Sequence, residues 1–85
     1  MMIYVYVLSS TKDDQLYTGC TRDLRTRIAL HNAGKVPSTA NRHPLKLIYY
    51  EACLNEQDAF RREKYLKTTY GKRYLKIRCH NYFTG

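Results

Sequence analysis

The residue with the clearest potential for chemistry is Glu63, a carboxylate on the apolar stripe of a predicted helix. At about 100° per residue, Glu63 projects between Ala59 and Phe60, on the side that also carries Leu66. An ionised carboxylate is rarely buried without a partner, because its desolvation is costly. Two kinds of partner fit this position: a cation such as Arg27 in a salt bridge, or a divalent metal ion that bridges the carboxylate to a phosphate.

The chain around Glu63 is strongly basic. Glu63 is the only acid between Ala59 and Gly85, where the cationic side chains are Arg61, Arg62, Lys64, Lys67, Lys72, Arg73, Lys76 and Arg78. A surface that binds phosphate usually excludes carboxylates, since they repel the ligand. A single carboxylate kept among these cations therefore suggests a metal site, with the salt bridge as the alternative.

Arg27 and His31 form a second candidate pair. They are four residues apart on a predicted helix, so they share one face beside the apolar stripe of Leu24 and Ile28. The fixed fork of an arginine suits phosphate oxygens, and a histidine can donate or accept a proton near neutral pH. The alternative is a solvated helix edge with an incidental histidine.

Two tyrosines of a predicted hairpin supply a third candidate group. Tyr6 and Tyr17 are 11 residues apart across the turn, so we expect them to lie nearly opposite one another. Adjacent phenols at a sheet surface could orient a water or a phosphate, whereas the alternative is an aromatic pair in the core. Gly19, two residues after Tyr17, lets a backbone or a ligand approach closely.

The strands that position the tyrosines are predicted from composition. Residues 3–8 are β-branched and aromatic without a break, which indicates a strand buried on both faces. Residues 9–14 predict a turn, residues 16–19 a returning strand and residues 45–51 a third strand. A polar loop is expected over residues 35–44.

The helices are predicted from their caps and stops. Thr21 is the expected N-cap of the first helix, which should end near residues 32–34. Asn55 with Asp58 resembles a capping box at the start of a second helix, which runs to about residue 68. Gly71 is expected to break that helix before a last basic helix over residues 72–80. The order β-β-α-β-α-α predicts an α+β fold, with a small three-stranded antiparallel sheet flanked by helices.

Composition bounds the kind of partner. The 85 residues predict a single domain over residues 1–85. A formal net charge of +8, together with nine tyrosines, favours a nucleic acid over other polyanions, and no segment is apolar enough to predict a membrane span. The three cysteines form no CxxC pair, which argues against zinc or a disulfide framework and favours the cytoplasm.

These residues, in this order, resemble the GIY-YIG nuclease superfamily. Residues 4–6 (Tyr-Val-Tyr) stand where the family has Gly-Ile-Tyr, and residues 17–19 (Tyr-Thr-Gly) stand where it has Tyr-Ile-Gly. The later matches, to an Arg-x-x-x-His helix and to a segment with an acidic metal ligand, are Arg27 with His31 and Arg62-Glu63 with Lys67. The short stand-alone bacterial members are the most similar, through the segments Leu16–Gly19, His31–Lys35 and Lys46–Glu51.

The resemblance implies an enzyme: a metal-dependent endonuclease that hydrolyses phosphodiester bonds in DNA. It implies that Glu63 holds a single Mg²⁺ or Mn²⁺ ion. Tyr6 would position or deprotonate the attacking water, and Tyr17 would hydrogen-bond the phosphate or the water. Arg27 would neutralise charge on the phosphate, and His31 would orient the nucleophile or accept its proton.

Nucleic-acid contacts are expected around this catalytic set. The residues expected to make them are Gly19, Ser38, Thr39, Arg42, Arg62, Lys64, Lys67, Lys72 and Arg73. Such phosphate contacts carry no sequence information, so selectivity for a single strand or a branched structure is the alternative to sequence specificity. Asn81 is the nearest candidate for a late asparagine that contributes in some family members. A non-catalytic nucleic-acid-binding module on the same fold is the alternative function, and the oligomeric state stays open, a dimer included.

Overall fold

The computed structural model describes residues 1–85, which fold around a three-stranded antiparallel sheet. The strands are β1 (Ile3–Ser10), β2 (Leu16–Thr21) and β3 (Leu45–Cys53), in the spatial order β2-β1-β3. The helices are α1 (Leu24–Asn32), α2 (Glu56–Leu66), α3 (Thr69–Arg78) and the short α4 (His80–Thr84). The predicted α+β class and element order are confirmed, with α4 and a 3₁₀ turn at Pro37–Thr39 as additions. No helix has the length and apolar character needed to cross a membrane.

The central strand β1 buries both of its faces, as its unbroken apolar sequence predicts. One core, beneath α2 and α3, is formed by Ile3, Val5, Val7, Ala59, Leu66 and Leu75. The other core, on the side of α1, is formed by Tyr6, Leu8 and Leu45, with Leu24 and Ile28 packed against them. Because α1 and α2 cover opposite faces, side chains from both helices can meet only around an edge of the sheet.

The start of α1 differs from the prediction. Thr21 is the last residue of β2, where it pairs with Tyr4, so the sheet ladder keeps it out of the helix. Asp23 is the N-cap instead, and its carboxylate accepts hydrogen bonds from the backbone and the hydroxyl of Thr26. These bonds hold the pKa of Asp23 below its ordinary value.

The boundary between α2 and α3 also differs from the prediction. Asn55 caps α2 as expected, but α2 ends at Leu66, ahead of the expected break at Gly71. Thr68 caps α3, and its hydroxyl accepts a hydrogen bond from the Gly71 N–H. Gly71 therefore lies inside α3, buried against the end of α2, where a side chain would collide with the backbone of Tyr65 and Leu66. The glycine allows the two helices to approach closely, which is a tertiary requirement and not a stop signal.

Candidate catalytic cleft

All five residues predicted to be catalytic line one cleft of about 480 Å³. Tyr6 comes from β1, Tyr17 from β2, Arg27 and His31 from α1, and Glu63 from α2. The consecutive β2 residues 17–20, whose side chains alternate between the two faces of the sheet, also line it. The cleft thus runs around the free edge of β2, and this edge brings the α1 face and the α2 face into one site.

The phenol of Tyr6 is the centre of the α1 side of the cleft. Its oxygen lies 2.9 Å from Nε2 of His31 and 3.4 Å from Nε of Arg27. Both partners share one face of α1, as their four-residue spacing predicts. His31 is only 4% exposed, so the alternative of a solvated helix edge does not describe it.

The register of the hairpin places Gly19, and not Tyr17, directly opposite Tyr6. Tyr17 pairs with Leu8, so the two tyrosines are diagonal neighbours on one face, two positions away from the predicted pairing. The prediction was wrong because β1 continues to Ser10, which moves the centre of the turn along the chain.

Gly19 makes room for the Tyr6 ring. A Cβ atom at position 19 would lie 2.5 Å from the Tyr6 phenol oxygen and 2.6 Å from its Cζ. The ring therefore lies directly over the β2 backbone, and only a glycine leaves space for it. The predicted close approach at Gly19 is found, and the group that approaches is the side chain of Tyr6.

Thr39, predicted to contact nucleic acid, is instead buried beside His31. Its side chain is fully buried in the 3₁₀ turn, where it is shielded from any nucleic acid, and its hydroxyl lies 2.7 Å from Nδ1 of His31. Thr39 and Tyr6 thus contact the two ring nitrogens of His31, the Thr39 hydroxyl at Nδ1 and the Tyr6 hydroxyl at Nε2.

The protonation state of His31 agrees with this arrangement. Burial, and then the nearby charge of Arg27, lower the pKa of His31 from its ordinary value of 6.5. The ring is therefore neutral at pH 7 and carries a single proton. In this state one ring nitrogen of His31 donates a hydrogen bond and the other accepts one, and the two partners are the hydroxyls of Thr39 and Tyr6.

Glu63 forms the α2 side of the cleft. Its side chain is 24% exposed, and one of its oxygens accepts a hydrogen bond from Nζ of Lys67 at 3.1 Å. The salt bridge is thus made to the C-cap residue of α2 and not to Arg27. Burial, followed by hydrogen bonding to Glu63 and by its negative charge, raises the pKa of Cys20 to about 12, so this neighbour is a thiol and not a thiolate. The sequence analysis gave Cys20 no part in the site, whereas the structure places it in the cleft.

The donor set of the cleft fits a hard cation that needs few protein ligands. No group of three or more His, Cys, Asp or Glu side chains could hold a metal ion by itself. Glu63 is the one carboxylate of the cleft, and its partners there are the ammonium of Lys67 and the thiol of Cys20. Mg²⁺ commonly binds through one or two carboxylates and completes its shell with water and phosphate oxygens. Glu63 could hold such an ion together with a bound phosphate.

Only some of the remaining predicted contact residues lie in the cleft. Gly19, Ser38, Lys67 and Lys72 line the cleft. Lys64 and Arg73 are exposed on α2 and α3 outside it. Arg42 is engaged by Asp13 at 3.1 Å, and Asn81 lies on α4 and does not line the cleft.

Arg62 is committed to the structure of the domain. It donates to both carboxylate oxygens of Glu51 at 2.8 to 3.0 Å and lies over the ring of Tyr74. Burial alone would raise the pKa of Glu51, but hydrogen bonds from Arg62 and Tyr49 outweigh it and hold that pKa below its ordinary value. These contacts fix the position of the Arg62 side chain, and its predicted contact with nucleic acid stays a prediction.

Comparisons with known proteins find one matching domain family and a group of similar bacterial proteins. A family model described as the GIY-YIG catalytic domain matches residues 2–76, a range that contains all five cleft residues. The chain is 43% identical over 75 residues to a UPF0213 protein of Staphylococcus haemolyticus, covering 87% of this chain and 90% of that one. It is 46% identical over 67 residues to a UPF0213 protein of Clostridium perfringens, covering 78% and 71%. The solution NMR structure of a UPF0213 protein from Bacillus halodurans is similar, with a TM-score of 0.54 and 36% identity over 88% of this chain and 82% of that chain.

Proposed function

The chain belongs to the GIY-YIG catalytic domain family, and from this premise we propose that it is a metal-dependent endonuclease that hydrolyses phosphodiester bonds in DNA. One observation carries the proposal. The phenol oxygen of Tyr6 lies within hydrogen-bonding distance of two nitrogens, from Arg27 and His31, in the same cleft as the carboxylate of Glu63. A pure binding surface has no need for a buried phenol held in this way.

Tyr6 acts as the base in its phenolate form: its own hydroxyl proton leaves to solvent through the cleft before the attack, and its oxygen then accepts a proton from the attacking water. Arg27 donates to the phenol oxygen, and His31 would donate to it as well in the Nε2–H tautomer; such donors favour negative charge on the atom that they reach. Because both partners lie on the α1 side, the hydroxyl proton of Tyr6 can leave through the cleft, and the oxygen lone pair that remains faces the attacking water. Buried Thr39 would hold His31 in this tautomer by donating to Nδ1.

Arg27 and Tyr17 hold the phosphate. Arg27 uses only its Nε atom on Tyr6, so its two terminal nitrogens are available for phosphate oxygens. The hydroxyl of Tyr17 lines the cleft without a protein partner and can donate to the phosphate or orient the water. These contacts stabilise the charge that grows on the phosphate as the water attacks.

Glu63 would hold one Mg²⁺ or Mn²⁺ ion, with water and phosphate completing its ligands. When bound, such an ion supplies positive charge at the scissile phosphate and at the leaving oxygen. Lys67 and Lys72 line the same cleft and would grip the phosphates of the backbone. A reducing cytoplasm suits the three unpaired cysteines and gives access to DNA.

The proposal is tested by incubating the protein with single-stranded, duplex and branched DNA in the presence of Mg²⁺, Mn²⁺ or EDTA. We expect cleavage of at least one substrate with metal, no cleavage in EDTA, and none by Glu63→Ala. Binding of all three substrates without cleavage under any condition would reject the enzyme and favour the non-catalytic module.

A further inference from the structure

Phe60 forms a ridge between the catalytic cleft and a second depression. It is 49% exposed and lies one turn before Glu63 on α2. Besides the cleft, it lines an adjoining groove of about 540 Å³, and Phe60 and Glu63 are the two residues that belong to both. The other walls of this groove are polar: Glu56, Gln57, Arg61 and Lys64.

The position of Phe60, more than its exposure, is informative, because single exposed apolar side chains are common on protein surfaces. Side chains three residues apart on a helix have Cβ atoms roughly 5–6 Å apart, so the ring is close to any phosphate held at Glu63. An aromatic face at this distance is within reach of the base attached to the neighbouring nucleotide.

We propose that the groove beside Phe60 binds one unpaired nucleobase of the nucleotide next to the scissile phosphate, with the base stacked on the Phe60 ring. The proposal deepens the proposed function and rests on it for the location of that phosphate. Base stacking on aromatic side chains is tolerant of sequence, and it requires a base that has left the duplex stack. The substrate class is therefore single-stranded DNA or a locally unpaired segment.

The polar walls of the groove match the other parts of a nucleotide. The side-chain amide of Gln57 offers a donor and an acceptor to the edge of a base. Arg61 and Lys64 can reach a flanking phosphate. The side chain of Arg61 is 80% exposed, and it forms a long ion pair with Asp58, at 3.8 Å. An aromatic face, an amide and two cations thus line one groove, and the carboxylate of Glu56 in its wall is paired with Arg22.

Binding measured in EDTA tests the subsite without any need for cleavage. A fluorescent single-stranded oligonucleotide is compared with a strand of equal length that carries only abasic sugars. We expect Phe60→Ala to weaken binding of the oligonucleotide by about 5- to 150-fold, the range for loss of one stacked base, and to leave binding of the abasic strand unchanged. Phe60→Trp should retain the affinity for the oligonucleotide.

Tyr50→Ala is the matched control, because Tyr50 is 53% exposed and lies on β3, outside both depressions that Phe60 lines. It should change neither affinity. Equal weakening of both strands by Phe60→Ala, or no weakening of either, would overturn the subsite even if the protein cleaves DNA. Base-dependent binding through Phe60 without cleavage of any substrate would instead keep the subsite and reject the nuclease.

Discussion

Replacing Gly19 on β2 with alanine should slow cleavage, because the added methyl group displaces the ring of Tyr6 on the neighbouring strand β1. The new Cβ of Gly19→Ala would lie 2.5 Å from the phenol oxygen of Tyr6, whereas non-bonded heavy atoms prefer about 3.5 Å or more. The Tyr6 ring is buried and hydrogen-bonded on its far side, so it cannot swing into solvent to relieve the contact. It must retreat by about 1 Å, which strains its bond to His31 and alters its position in the cleft.

The size of the effect follows from that displacement. A misplacement of about 1 Å in a catalytic group can cost roughly 100-fold in rate, which corresponds to about 2.7 kcal/mol in the barrier. Overpacking of this kind also costs about 1–3 kcal/mol of folding stability. We therefore expect Gly19→Ala to lose roughly 100-fold in single-turnover cleavage while it remains folded at 25 °C.

A double-mutant cycle separates positioning from general damage. Single-turnover cleavage is measured for Gly19→Ala, Tyr6→Phe and the double variant, together with thermal unfolding of each. If Gly19 acts through the position of the Tyr6 oxygen, the alanine should cost little further rate once that oxygen is gone. A wild-type rate for Gly19→Ala, or an equal loss in both backgrounds, would refute this reasoning.

Three further predictions follow from the groups around the cleft. Thr39→Val, which removes only the hydroxyl, should change the ¹⁵N shifts of the His31 ring from the Nε2–H pattern and slow cleavage at least tenfold, whereas Thr39→Ser should restore both; an unchanged ring spectrum would contradict the proposed tautomer. Because the pKa of His31 is lowered in the folded state, its contribution to stability is complete above about pH 6.5 and is lost as the pH falls. In urea unfolding, the free energy of unfolding should therefore decrease more between pH 7.5 and pH 5.5 for the wild type than for His31→Gln. Arg62→Gln, which leaves the half-buried carboxylate of Glu51 unpaired, should lower the melting temperature without changing DNA affinity in EDTA, whereas weaker DNA binding would restore Arg62 as a contact.

Those site residues whose orientation depends only on helical periodicity could be predicted from the sequence. The spacing of Arg27 and His31 places both on one face of a helix, and the helical position of Glu63 turns it towards the protein interior. Both consequences follow from 3.6 residues per turn and need no knowledge of the rest of the fold. The structure brings these residues into the same cleft.

Positions that are set by contacts between distant parts of the chain could not be predicted from the sequence. The partner of Tyr6 depends on where the hairpin turns, which is set by the length of the strand pairing and not by Tyr6 or Tyr17 themselves. The burial of Thr39 depends on how a loop folds over His31, and a polar loop sequence gives no sign of this. The place of Gly71 inside α3 depends on the close approach of α2.

The central claim is that Glu63, together with Tyr6 and its partners Arg27 and His31, forms a metal-dependent centre that cleaves phosphodiesters. Its most direct test is single-turnover cleavage measured across a titration of Mn²⁺. Wild type is compared with Glu63→Gln, a variant that keeps the size of the side chain and removes its charge. We predict that the wild-type rate rises from zero in EDTA to saturation, and that Glu63→Gln is roughly 100-fold slower or worse at every concentration while its DNA affinity in EDTA is undiminished. Cleavage by Glu63→Gln at the wild-type rate and with the same metal dependence, or cleavage by the wild type in EDTA, would contradict the claim.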